Sequence, residues 1–234
     1  MPPQPFDGKL YICSAMNATA PARFIEAGDL SLLKGRHISL QFLTEEHREI
    51  LRPLARDERI WEFTKTLLIT DTYDGQFDNY FNDALSFAAK GDQAFVVVAS
   101  GDDRVIGDDR AIANDRVIGM TRAYDIDRKV KKITIGHTWY IPAVWGKAHN
   151  KECKLLLLQY IFDTLGFVQT DFKVAGQNIR SQKAVEKIGG VREGSLRRYS
   201  LRNDGEPADT VFFSILDEEW PERKKRLQEM VAVG

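Results

Sequence analysis

A chain of 234 residues, 43% hydrophobic and 29% charged, has the make-up of a globular protein with one good-sized core rather than two. A formal net charge of −1 excludes the basic footprint of a nucleic-acid binder, and no stretch approaches the roughly 18 consecutive apolar residues of a membrane-spanning helix. Two cysteines in unrelated contexts, Cys13 and Cys153, make neither a disulfide framework nor a metal site.

The opening "MPPQPFDGKLYICS" lacks the basic and apolar regions of a secretory signal, so the expected compartment is the cytoplasm. Residues 1–34 are rich in proline and small residues without sustained periodicity, and read as an N-terminal extension to a domain over 35–234. In "HISLQFLT", Ile38, Leu40 and Phe42 alternate with polar neighbours, the pattern of a half-buried strand. Thr44 then resembles the N-cap of a helix over "EEHREILRPLAR", with acids in its first turn. Helical spacing returns in "FDNYFNDALSFAAK", which places Phe77, Tyr80, Phe81, Leu85 and Ala88 on one face. "QAFVVVAS" follows as a short apolar strand.

"DDRVIG" at 102–107 returns as "NDRVIG" at 114–119. Units this short cannot build a solenoid, which needs repeats of about 20 residues or more. The segment 102–119 reads instead as an extended hairpin loop leading into the strand "RVIGMTRAYD". Its acids lack the order of a calcium loop. In "KITIGHTWYI", Ile133, Ile135, His137, Trp139 and Ile141 alternate with Thr134, Gly136, Thr138 and Tyr140. A helix over 150–165, apolar almost all round from Leu155 to Leu165, should be buried against a sheet. There follow a strand "DFKVAG", a helix "SQKAVEKI" stopped by Gly189-Gly190, the hairpin "VREGSLRRYSLR" and "DTVFFSIL" around "NDGEPAD", and a last amphipathic helix, "EEWPERKKRLQEM". This order predicts an α/β chain in which a largely antiparallel meander feeds a central crossover.

Two stretches carry chemistry. "WGKAHNKECK" at 145–154 lies between a strand and a buried helix, where unpaired N–H groups and the positive end of the helix dipole favour an anion. It contains neither a Walker loop nor a dinucleotide fingerprint. Two readings stay open at this point: an anion site, or a plain connection with Asn150 as N-cap and Lys147 and Lys151 in solvent. The second stretch runs from Asn178 through Ser181 to Gly189 and opens the next helix. Here Ser181 fits an N-cap and Asn178 a turn residue.

Taken together, in this order and spacing, the two motifs resemble the GNAT superfamily of N-acetyltransferases, and most closely its RimJ/RimL-type branch. The family pattern Q/R-x-x-G-x-G/A falls on Trp145 to Asn150, and N-x-x-S-x-x-A-x-x-K-x-G on Asn178, Ser181, Ala184, Lys187 and Gly189. "EGSLRRY" and "DGEPADTVFFSILDEEW" resemble the branch's closing hairpin, so the likeness spans about residues 35–225. Trp145, Ala148 and Asn150 depart from the pattern. At 148 a Cβ would crowd a phosphate or forbid a positive φ, whereas at a helical position alanine gains about 0.5–1 kcal/mol over glycine.

The resemblance implies a mixed, mostly antiparallel sheet flanked by helices (α+β), with a strand splay at the acyl-CoA site. It implies acetyl transfer from acetyl-CoA, with no metal, to a primary amine: a protein N-terminal amine or a small-molecule amine. The donor would be held by Trp139, Tyr140 and Ile141, by Gly146, Lys147, Ala148, His149, Asn150 and Lys151, and by Asn178 and Ser181. Ser181 would hydrogen-bond or protonate the leaving thiolate. His137, Tyr199 and Glu193 are the candidates for meeting the amine, whose ammonium form, with a pKa near 10.4, must lose a proton first. Cys153 reads as a small core residue.

The acceptor is expected over the first helices and the last hairpin. Residues 57–83 carry seven acids (Asp57, Glu58, Glu62, Asp71, Asp74, Asp78, Asp83) against Arg59 and Lys65, a balance that would suit a cationic amine. Neither nucleic acid nor membrane is expected as a partner, and the chain is expected to be a monomer or homodimer. Two alternatives accompany this reading: a non-catalytic acyl-CoA sensor or scaffold, and a transferase of a bulkier acyl group such as succinyl.

Overall fold

The computed structural model describes residues 25, 29, 31, 33–100 and 116–233. The rest of the expected extension, and most of the expected hairpin loop at 102–119, lie outside the described residues. Seven strands form one sheet in the order β1-β2-β3-β4-β5-β7-β6: β1 Ile38–Phe42, β2 Gln93–Ala99, β3 Val117–Asp127, β4 Lys132–Tyr140, β5 Gln169–Ala175, β6 Val191–Leu201 and β7 Pro207–Leu216. Every neighbouring pair is antiparallel except β4 and β5. That pair is parallel because the buried helix α4 (Ala148–Gln159) crosses between its members.

Two cores flank the sheet. On one face α4 and α6 (Trp220–Ala232) cover Ile133, Ile135, Phe172 and Phe213. Leu155 to Leu158 are buried there, as their unbroken apolar run predicts, and Cys153 is fully buried beside them. Burial pushes its thiol pKa up, so it behaves as a small core residue. Ile25 and Leu33, from the segment read as an extension, are fully buried in the same core. On the other face lie α1 (Arg48–Leu54), α2 (Glu58–Trp61) and α3 (Tyr73–Ser86). Phe77, Phe81 and Ala84 of α3 pack there with Trp61, Val96, Met120 and Trp139.

Several local expectations shift. Thr44 caps a short 3-10 turn, Glu45–His47, before α1 begins, and its N–H donates to His47 Nδ1 at 3.1 Å. The expected helix at 150–165 starts earlier, at Ala148, and finishes as a π-turn, Tyr160–Thr164. The largest correction is in β4. Gly136 pairs with Arg122 and Trp139 with Met120, so His137 and Thr138 together oppose Thr121 alone. This is a β-bulge, and His137 takes the positive φ of 48° that absorbs the extra residue. The alternation read from sequence therefore breaks. Ile133 and Ile135 face the α4 core, but Trp139 turns to the opposite core beside Trp61, at 5.7 Å between ring centroids.

Among the described residues no helix is long and apolar enough to cross a membrane.

Candidate active site

β4 and β5 hydrogen-bond only from Lys132–Gln169 to Thr134–Asp171. Beyond that pair the strands separate, because the bulge bends β4 away while β5 stays zipped to β7 along its whole length. The wedge opens into a cavity of about 620 Å³. Its walls include β4 from Ile135 to Tyr140, β5 from Phe172 to Ala175, and Asn178 and Ser181 of the next helix.

At the mouth, Gly146 has φ +77° with nothing within 4 Å of the position a Cβ would take. The left-handed turn is what calls for glycine there. It delivers the chain to Ala148, the first residue of α4. Ala148 is not among the residues of positive φ, so its Cβ is tolerated as in any helix and the departure at this position is conformationally harmless. Lys147 occupies the N-cap position and no side chain caps the helix. This corrects the reading of Asn150 as N-cap; Asn150 is the third helical residue and lines the cavity. The first N–H groups of α4 thus lack an intrahelical acceptor and lie at the positive end of a helix dipole, beside the part of the mouth lined by Gly146 and Asn150.

α5 (Ile179–Lys187) begins beside it. Asn178, not Ser181, is its N-cap: Asn178 Oδ1 accepts from the Ser181 N–H at 3.0 Å. The roles exchange because the turn after β5 ends early enough for helix to start at Ile179. Ser181 is left with its side chain on the cavity wall. The two helix starts are tied together by Arg180, whose guanidinium lies 4.1 Å from the Trp145 ring, while Trp145 Nε1 donates to Tyr140 O at 2.8 Å.

The remaining expected donor contacts separate. His137, Trp139, Tyr140, Gly146, Asn150, Asn178, Ser181 and Tyr199 line the cavity. Ile141, Lys147, Ala148, His149 and Lys151 do not; the Ala148 and His149 side chains point into the protein, each 1% exposed. The Ile141 N–H is committed to Ile118 O at 2.9 Å. Since successive N–H groups alternate along a strand, Trp139 also donates toward β3, and of the three only Tyr140 directs its N–H to the splay.

His137 is exposed at the cavity and flanked by Tyr124, 5.1 Å away between centroids, and Phe87 at 6.2 Å. Desolvation by the surrounding chain, reinforced by the Arg122 charge, pushes its pKa down to about 4. The imidazole is neutral at pH 7. Tyr199, half exposed, faces the cavity from β6 and stands edge-on to Phe212 at 5.2 Å. Glu193 is not in the wall; it accepts a hydrogen bond from the Ser214 hydroxyl. Across from β6 the cavity is bounded by Ile60, Trp61, Phe63 and Thr64, next to Tyr80. Tyr80 is held by the Trp139 indole N–H at 3.1 Å.

The acid excess at 57–83 overstates the local field. Asp57 pairs with Arg59, Asp74 with Arg52 and Arg56, Asp78 with Arg48 and Arg52, and Asp83 with the fully buried Arg122.

Two buried residues of α4 escaped the sequence reading. The Glu152 carboxylate accepts the backbone N–H groups of Arg36, His37 and Ile38 at 2.8, 2.7 and 2.8 Å, pinning α4 to the start of β1. Lys154 lines the cavity and donates to Thr138 Oγ1 at 2.8 Å. Its signal was its place one turn after Asn150 on a stripe ending in apolar residues.

A family model for the acetyltransferase (GNAT) domain matches residues 37–191. The chain belongs to the GNAT acetyltransferase family. It is 32% identical over 89 residues to the uncharacterised N-acetyltransferase YoaA of Bacillus subtilis (strain 168), a stretch covering 38% of this chain and 49% of that protein. The chain thus spans about half the length of this curated relative. Among solved structures, one described as an acetyltransferase from T. thermophilus shares 28% identity at a TM-score of 0.70, over 84% of this chain and 95% of the other. The spermidine N-acetyltransferase of Vibrio cholerae, solved in complex with CoA and spermine, has the same fold at a TM-score of 0.59 and 18% identity, covering 79% of this chain and 98% of its own. Like these structures, the GNAT domain here is a mixed fold with a mostly antiparallel seven-stranded sheet flanked by helices.

Proposed function

We propose that this GNAT protein transfers a short acyl group from an acyl-CoA thioester directly to a primary amine, both bound at once, with acetyl-CoA as the smallest donor. The observation that carries the proposal is the β4–β5 splay, whose mouth is formed by the uncapped start of α4. The N–H groups of the first turn of α4 suit the donor's diphosphate, and the splay offers an extended arm a strand-like slot.

As the amine attacks the thioester carbon, negative charge develops on the carbonyl oxygen. Tyr140 is the proposed N–H donor to it, and one such preorganised donor contributes about 2.7–4 kcal/mol in comparable acyl transfers. The new C–N bond forms as the C–S bond breaks. Ser181 Oγ is the proposed partner of the departing thiolate, with Asn178 holding the turn beneath it. His137 and Tyr199, on opposite walls, are the groups proposed to meet the amine. A neutral imidazole can accept its hydrogen bond, but with a pKa of about 4 it is too weak a base to keep the proton, which leaves through cavity water.

The acceptor is proposed to enter between the α2 region and the β6–β7 hairpin. The RimJ/RimL-like motifs favour a peptide N-terminal amine or small amine, and the polyamine complex of the Vibrio cholerae structure places polyamines in the same panel. The test is to incubate the protein with acetyl-CoA and a set of polyamines, monoamines and peptides with free N-termini. Free thiol is followed, and acylated product is identified by mass. Tight CoA binding with no turnover on any amine would refute the proposal and favour a binding-only role.

A further inference from the structure

Lys154 is 6% exposed, yet it lines the cavity, and its ammonium donates to Thr138, another lining residue, at the bulge. The Thr138 hydroxyl is itself 2.7 Å from Thr121 Oγ1 and 3.3 Å from Gly136 O. It can satisfy only one of the three ammonium donors. Among the described residues no carboxylate pairs with Lys154 or contributes to its charge state. A cation taken out of water without a counter-ion is strongly disfavoured, and burial accordingly lowers the Lys154 pKa. Core positions facing an apolar ligand are filled by apolar residues; a lysine here leaves the ligand to complete the pairing.

Its place in the fold says which part of a ligand it meets. A donor entering at the start of α4 runs down the splay past Tyr140. Thr138 lies deeper, between Tyr140 and the last β4–β5 pair at Thr134–Asp171. What reaches that depth is the acyl tail beyond the thioester carbonyl. We propose that Lys154 reads a carboxylate at the end of the acyl group, so that a short dicarboxylic acyl-CoA is the preferred donor over acetyl-CoA. This rests on the acyltransferase reading above. The chemistry is unchanged: the amine nitrogen bonds to the thioester carbon, the C–S bond breaks, and the amine's proton ends on solvent or the released thiol. The second carboxylate is a spectator held by Lys154, while an acetyl methyl leaves the ammonium unpaired.

The experiment compares acetyl-, propionyl-, malonyl- and succinyl-CoA in thiol release with one accepted amine, for the wild type and Lys154→Met. The wild type should use malonyl- or succinyl-CoA with a kcat/KM about tenfold or more above acetyl-CoA, as sites built around a polar partner discriminate. Lys154→Met should abolish that advantage and leave acetyl-CoA equal or better. A wild type that ranks acetyl-CoA first overturns the inference, as does a Lys154→Met variant that slows every donor alike. If the variant fails to fold, the wild-type ranking alone decides. If no amine is turned over, calorimetric binding of succinyl- and malonyl-CoA against acetyl-CoA decides: a preference supports the role of Lys154 although the transferase reading has failed, and equal affinities overturn it.

Discussion

Glu152 offers the most direct test of how the donor helix is held. Glu152 is 3% exposed, and its carboxylate takes the backbone N–H groups of Arg36, His37 and Ile38, at the entry to β1. In Glu152→Gln the amide oxygen can keep the His37 and Ile38 donors, which share one oxygen in the native carboxylate, but as neutral bonds. Each loses roughly 1 kcal/mol, the difference between a charged and a neutral acceptor. The Arg36 N–H would face an amide NH₂; water reaches this exposed residue and limits the cost to about 1 kcal/mol. Relief of the buried charge offsets part of the sum. The net expectation is a loss of about 2–3 kcal/mol, or roughly 4–12 °C in Tm for a domain of this size.

Gly35 supplies the control. A Cβ there would lie 2.4 Å from Glu152 Cδ, so Gly35→Ala should displace the carboxylate and break the same bonds. Combined with Glu152→Ala, which removes the obstacle, the two losses should fall short of additivity. Urea and thermal unfolding of the four species provide the cycle. A Glu152→Gln variant within about 0.5 kcal/mol of wild type, or strict additivity in the cycle, would refute the anchoring role.

Ala148→Gly should cost at most about 1 kcal/mol of stability and leave the donor KM unchanged; a large drop in KM would mean that the Cβ crowds the diphosphate. Ser181→Ala should lower kcat by about tenfold, below the usual hundredfold or more of proton-transfer effects because a thiolate already leaves well. Its Tm should hold, since the backbone N–H to Asn178 is retained. Asn178→Ala removes the cap of α5 and should cost about 1 kcal/mol in chemical denaturation, whereas Asn178→Asp should not. His137 has a folded pKa pushed down to about 4 from an ordinary 6.5. As pH falls through that window the unfolded chain takes up a proton that the folded chain refuses, so stability declines with acid. His137→Asn, which tolerates the positive φ, should flatten the stability-versus-pH curve between pH 6.5 and 4; an unaltered curve would show that the imidazole titrates normally.

How much of this could be read beforehand depends on the range of the interaction. Element order, the buried α4 and the two motif-bearing turns were legible because hydrophobic period and turn chemistry are local. The N-caps were misplaced by a few residues, since Gly146 turns the chain before Asn150 and the turn after β5 ends before Ser181. The bulge at His137 and Thr138 left no mark on the alternation of β4. It arises from the pairing of that strand with β3, and it decides that Trp139 faces the aromatic core and that one N–H meets the splay.

Glu152 and Lys154 show the same limit from the side of charge. In sequence both look like solvated residues of a helix's first turns. Only the tertiary fold brings the N–H groups of Arg36, His37 and Ile38 to one, and leaves the other facing a cavity with a single hydroxyl. The two buried charges differ in what they lack. Glu152 is satisfied by the chain itself and belongs to the scaffold, while Lys154 has the Thr138 hydroxyl alone among the described residues, which is what motivates the proposed carboxylate partner. A charge that the fold buries without completing is therefore the observation on which the proposed dicarboxylic donor stands or falls, and its position beside Thr138 is set by the bulge.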